Sequence, residues 1–185
     1  MTGNEEFRGH AVVMQPGDGP SFWQPMPANG HADPMLTPAN TKFKDVSMGY
    51  QTIAVGGHVR EHSHPDQVEL QICFKGKGHV MVDGARHDIV PGSSAFLGYD
   101  VKHAIYNDGD ENLVMMWVIT PAGLEDFFET IGQSRRPYDG GATRGGRQEG
   151  RVIPRKRVGC RVNDATRDEQ SRRRRQVHGG CRHAQ

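Results

Sequence analysis

Between Met48 and Thr120 the chain is cut into short runs by glycine and proline turn signals, too closely spaced for helices. Val68–Phe74 is the clearest run: Val68, Leu70, Ile72 and Phe74 alternate with Glu69, Gln71 and Cys73, the period of two expected of a strand with unlike faces. Met48–Val55 reads as another strand, stopped by Gly56-Gly57. His79–Val82 and Arg86–Val90 flank Asp83-Gly84, the sequence of a two-residue hairpin. After the Pro91-Gly92 turn, Ala95–Leu97, His103–Asn107 and Leu113–Ile119 read as three more strands. A helix follows over residues 121–131, with Leu124, Phe127, Phe128 and Ile131 at helical spacing and Gly132 as its stop. Regular short strands closed by one helix predict an all-β fold, a small antiparallel barrel or double-sheet jelly roll.

The flanks differ in texture. Residues 1–46 form an extended arm rich in Pro and Gly, with Phe22, Trp23 and Met26 placed to pack on a neighbouring sheet or a partner subunit. The net charge of +1 hides a split: residues 1–134 hold 8 Lys and Arg against 17 Asp and Glu, whereas residues 135–185 hold 15 against 5. That tail has no Leu, Met, Phe or Trp, so it has little apolar surface to offset the entropy of ordering. The expected organisation is therefore an arm over 1–46, a barrel with its terminal helix over 47–134, and a disordered basic tail over 135–185. The tail's near-total use of Arg fits a shifted reading frame in GC-rich DNA, a solvated extension, or a polyanion-binding arm. Cys160, His178, Cys181 and His183 give a weak zinc pattern without a C-x2-C pair, and nucleic-acid binding by the tail is not favoured. No apolar run is long enough to cross a bilayer and Met1–Glu6 lacks a signal-peptide core. Three Cys make no disulfide framework, and the expectation is a soluble cytoplasmic protein.

One constellation carries chemistry: Gly56-x5-His62-x-His64-x4-Glu69-x6-Gly76, followed by His103 and Asn107. Residues two apart on a strand share a face, so His62 and His64 can aim both imidazoles at one point. Glu69 comes from a neighbouring strand and His103 from a third. Three imidazoles and a carboxylate suit a divalent first-row metal, with the carboxylate favouring Fe2+ or Mn2+ over Zn2+ or Ni2+. On a six-coordinate ion, two positions stay open for substrate, water or O2. Gln71, on the face of Glu69, is the expected polar neighbour or substrate contact. Tyr50 is a candidate for the pocket wall, while Tyr106, Met115 and Trp117 fit core packing, as Cys73 does. His58, His79 and His87 lie outside the pattern and are expected at the surface or in turns.

This constellation resembles the two motifs of the cupin superfamily. The first is matched at every fixed position by Gly56, His62, His64, Glu69 and Gly76. In the second, Gly92, His103 and Asn107 match, while Gly98 stands where a proline is expected and Asp100 where a glycine is. The resemblance covers roughly residues 48–120. It implies the conserved β-barrel of that superfamily, often dimeric, with metal ligands His62, His64, Glu69 and His103; the segment from Thr120 to Phe128 is similar to the ending of small quercetin-dioxygenase-like members.

Three functions follow. The first is a metal-dependent dioxygenase acting on a small enol, phenol or similar oxygen donor, in which Glu69 also takes up the substrate's proton. The retained Glu argues against the thiol-dioxygenase branch. The second is a redox-neutral cyclase, isomerase or lyase using the ion as a Lewis acid, since polyketide-cyclase members have a similar layout. The third is a non-enzymatic ligand- or metal-binding barrel, weakened by the lack of a helix-turn-helix pattern. A homodimer acting on a small-molecule substrate is the expected assembly.

Overall fold

The computed structural model describes residues 11–136 and the pair 161–162. The elements are β1 (Phe22–Trp23), β2 (His31–Leu36), α1 (Pro38–Thr41), β3 (Ser47–Ile53), β4 (His58–Ser63), β5 (Val68–Lys75), β6 (Gly78–Val82), β7 (Ala85–Ile89), β8 (Ser94–Leu97), β9 (His103–Tyr106), β10 (Leu113–Thr120), α2 (Leu124–Ile131), β11 (Gln133–Ser134) and β12 (Arg161–Val162). One sheet has the order β11-β1-β2-β3-β10-β5-β8 and the other β12-β4-β9-β6-β7. All pairings are antiparallel. β1-β2, β2-β3 and β6-β7 are neighbours in sequence, whereas β10 lies between β3 and β5, and β9 between β4 and β6, the crossing connectivity of the expected jelly roll.

Alternation along the strands sorts side chains between the two sheets and the outside. On β10, Leu113, Met115, Trp117 and Ile119 are buried, while Val114, Met116 and Val118 are half-buried on the other face. Ile53, Cys73, Val80, Ile89, Ile105, Leu113 and Met115 form the main core between the sheets. A second cluster joins Ala32, Trp117 and Ile119 to Leu124 and Phe128 of α2, so the helix lies across one end of the barrel. Glu125 fixes the helix start, its Oε2 accepting from Ser47 Oγ at 2.6 Å and from the Gly123 amide at 3.0 Å. The hairpin expected at Asp83-Gly84 is present, with φ of 46° and 83°, the left-handed pair that a two-residue hairpin turn demands.

The sequence places no strand before Met48, and here the structure differs. β2 carries Asp33 and Pro34 and shows no clear alternation, but it pairs along the edge of β3 and brings β1 with it. A polar staple fixes the layer: Ser21 Oγ donates to Asp33, Arg135 Nη1 donates to Ser21 Oγ at 3.1 Å, and the Arg135 guanidinium lies 4.9 Å from the Trp23 ring centre. An open strand edge recruits a partner through its backbone whatever the partner's side-chain pattern, which is why composition alone reads this segment as a loop. Apart from Arg135, Arg136 and β12, the predicted tail and its Cys/His cluster lie outside the described residues. No helix among the described residues is long and apolar enough to cross a membrane.

Gly49 decides how closely β3 approaches its neighbours. A Cβ there would sit 2.5 Å from the Asp33 carbonyl oxygen and 2.6 Å from Trp117 Cζ2. Gly49→Ala is expected to lower the unfolding free energy by about 1–3 kcal/mol through overpacking. Gly98→Ala, whose Cβ meets nothing closer than 4.0 Å, is expected to leave the denaturant midpoint nearly unchanged. Equal midpoints for the two variants would refute this account of Gly49.

Candidate metal centre

His62 and His103 face each other across β4 and β9, and their inward direction depends on an irregularity. Val59 pairs with Ile105 and His62 with His103, so three steps on β4 answer two on β9. Strict alternation would turn His62 outward; the bulge between Val59 and His62 returns it to the barrel interior. His64 follows just after β4. Glu69 stands on the inner face of β5, between Ile119 of β10 and Leu97 of β8.

One potential ligand atom from each of His62, His64, Glu69 and His103 lies within 4.8 Å of all the others. Glu69 Oε2 is 3.2 Å from His64 Nε2 and 3.3 Å from His103 Nε2, yet none of these three buried atoms has a hydrogen-bond partner. The imidazoles are oriented from behind. His62 Nδ1 lies 2.8 Å from the Arg60 carbonyl and His103 Nδ1 3.0 Å from the Val101 carbonyl. A carbonyl only accepts, so each Nδ1 carries a proton and each Nε2 is the ring atom turned to the centre. Gln71 Nε2 donates to Glu69 Oε1 at 3.3 Å, leaving Oε2 for the cluster.

Burial, and then the neighbouring His103, hold the His62 imidazolium down to about 4, so the ring is a neutral donor near neutral pH. Burial pushes the Glu69 carboxyl up, but His103 and His64 outweigh it and leave it at about 2, ionised. Buried ligand atoms without hydrogen-bond partners, converging on one point, are a poor hydrogen-bonding arrangement and a good cation site. The four residues fit a divalent metal by this test.

The loop where the second motif departs from its pattern holds two of these residues. Asp100 has φ of 59°, the left-handed conformation for which the motif keeps glycine and which Asp tolerates better than most. Its amide donates to the His64 carbonyl at 2.9 Å, and the next residue supplies the carbonyl behind His103. Asn107 is a clamp: its Nδ2 donates to the carbonyls of Ile53 and Glu111, both at 2.9 Å.

A cavity of about 280 Å³ opens onto His62 and Glu69. Its walls are largely apolar, with Ile105 from the barrel and Leu124, Phe127 and Phe128 from α2, and Gln71 lines it as expected. Tyr50 does not. It lies on the opposite face of β3, its ring 5.3 Å from Phe74, because alternation that points Gln51 inward must point Tyr50 out. His58 and Arg60 also line the cavity, as does Gln51; the sequence reading missed Gln51 although it follows the strand's own alternation. His79 is buried rather than exposed, stacked on Tyr106 at 4.5 Å and bonded to Asp108. Cys73 stays in the core, its thiol pushed up by burial.

Residues 49–119 match the cupin domain. Polyketide synthase CurC of Streptomyces cyaneus is 26% identical over 87 residues, 47% of this chain and 56% of that protein. Protein SchB of Streptomyces halstedii is 26% identical over 92 residues, 50% of this chain and 67% of its own length. The chain thus spans little more than half the length of the first of these. Among solved structures, a predicted oxalate decarboxylase from Thermotoga maritima superposes with a TM-score of 0.54 at 20% identity, over 60% of this chain and all of that one, a likeness of fold. Barrel topology, both motifs and the domain match agree over the same stretch: residues 49–119 form a cupin domain.

Proposed function

We propose that this protein is a metal-dependent enzyme acting on a small enol, phenol or similar oxygen-donor substrate, and that its reaction is a dioxygenation. The observation that carries this reading is the meeting of three imidazoles and one carboxylate, with Glu69 Oε2 and the Nε2 atoms of His64 and His103 buried and unpartnered, beside a largely apolar cavity. His62, His64, Glu69 and His103 would hold the metal. When bound, a divalent ion there supplies Lewis acidity toward a substrate hydroxyl and, if it is iron or manganese, access to O2 chemistry.

The chain's own residues do the rest. Leu124, Phe127 and Phe128 exclude water from the substrate's apolar body. Glu69 is the only carboxylate lining the cavity among the described residues, and it is the acceptor for the hydroxyl proton. Gln71 holds Glu69 Oε1 and thereby sets which carboxylate oxygen faces the centre. The similarity to polyketide synthase CurC favours a second reading, a redox-neutral cyclisation or isomerisation of a polyketide-type enol at the same centre.

Elemental mass spectrometry on the full chain, purified without chelator, is expected to find about one divalent ion per chain. The double variant His62→Ala/His64→Ala is expected to lose it, and Gln71→Leu to bind it about 10-fold more weakly. A folded wild type that holds no metal and cannot be reloaded removes the proposal.

O2 uptake separates the two reactions. With enolic and phenolic substrates, dioxygenation consumes O2 in step with product and adds two oxygen atoms to it. Glu69→Gln is expected to slow turnover by about 10²–10⁴-fold. Product of unchanged mass, formed equally fast under argon, would establish the redox-neutral reading instead.

A further inference from the structure

Gln51 is a buried polar side chain to which the fold gives no task. It is 9% exposed and lines the cavity over the metal centre, and no hydrogen bond or ion pair engages its amide among the described residues. The other two glutamines of the cavity are committed, Gln71 to Glu69 Oε1 and Gln24 to the Phe22 carbonyl. Its polar atoms are not sealed in the core but open onto the cavity, where a bare amide stands ready for a ligand or for water that a ligand displaces.

Its position fixes the geometry. On the inward face, Gln51 of β3 pairs across β10 with Met115, and Met115 with Cys73; the next row along is Gly49, Trp117 and Gln71. Gln51 and Gln71 are therefore two strands and one inward row apart, about 12 Å between backbones at ordinary sheet spacings. Both side chains project from the same face of one sheet, so their amides stand about as far apart as the backbones, a gap that a fused-ring system with an oxygen at each end and its hydrogen bonds can span. The walls alongside are Ile105, Leu124, Phe127 and Phe128, and Arg60 is the only Lys or Arg among the lining residues. Such a surface suits a flat, neutral apolar body and supplies little charge for a phosphate or a small dianion.

We propose that Gln51 determines specificity by hydrogen-bonding a second oxygen of the substrate, remote from the oxygen at the metal centre, so that the preferred ligands are fused-ring phenols or enols with two separated oxygen functions. The carboxamide both donates and accepts and takes a hydroxyl or a carbonyl. This rests on the enol or phenol reading above, but it is tested by binding and needs no turnover.

The test titrates 2-naphthol and 2,6-dihydroxynaphthalene into the full chain and follows binding calorimetrically. The wild type is expected to bind the diol about 10-fold more tightly than the mono-ol, the scale of one satisfied buried hydrogen bond. Gln51→Leu and Gln51→Met are expected to abolish that preference by weakening the diol alone, with mono-ol affinity within about 2-fold of wild type. Equal affinity of the wild type for both compounds overturns the proposal, as does binding of neither, or parallel loss of both in the two variants. His62→Ala/His64→Ala separates the two inferences: a diol preference that survives metal loss belongs to Gln51, whereas a wild type without metal removes the enzyme reading and leaves the preference to stand or fall by itself.

Discussion

Four electron-pair donors held within 4.8 Å of one another inside a barrel is the constraint on which the rest of this structure turns. Left to themselves, an ionised carboxylate and three imidazoles would seek water, since burying them without partners is costly. The fold prevents this from behind the donors. Carbonyls of Arg60 and Val101 take the Nδ1 protons, and the Asp100 amide holds the His64 backbone. The bulge in β4 restores His62 to the inner face. One loop and one irregular strand thus hold the ligands around a point for which the described residues supply no Lys or Arg.

The cavity over that point is not made by the barrel alone. Its outer wall is α2, and α2 is seated on Trp117 and Ile119 together with Ala32 of β2. The Trp117 indole has room only because residue 49 is glycine, and β2 is kept in place by the Ser21, Asp33 and Arg135 staple. Segments before and after the recurring strands therefore shape the substrate space, whereas strands within the barrel hold the ligands. The two roles can vary independently, which is how one barrel hosts many reactions.

This division also explains what was legible in the sequence. The ligand set could be read because it obeys spacing rules: His62 and His64 two apart, Glu69 in a clean alternating run, His103 at the start of another. The Asp83-Gly84 hairpin and α2 were equally plain, since turn chemistry and helical periodicity are local. The strand character of β1 and β2 was not, because it arises from pairing with the edge of β3 and not from side-chain pattern. Tyr50 was misplaced by one residue of register, and one residue is enough to move a side chain from the cavity to the outer face. Gln51, its neighbour, was passed over because a glutamine in a strand signals nothing until its burial and lack of partners are seen.

The two oxygens of Glu69 also divide the labour of the site. Oε2 lies between the Nε2 atoms of His64 and His103, and the imidazoles keep the carboxyl at about 2. A carboxylate so held is a weak base through Oε2. Oε1 has no imidazole against it; its one partner is the Gln71 amide at 3.3 Å, a long and readily surrendered hydrogen bond. In the proposed reaction, proton uptake from a substrate in the cavity would fall to Oε1, with Gln71 exchanging its donor for its own carbonyl oxygen. The same amide that orients the carboxylate at rest would then stabilise it after protonation; a lysine at position 71 would hold Oε1 ionised, and a leucine would leave it free to turn toward the imidazoles.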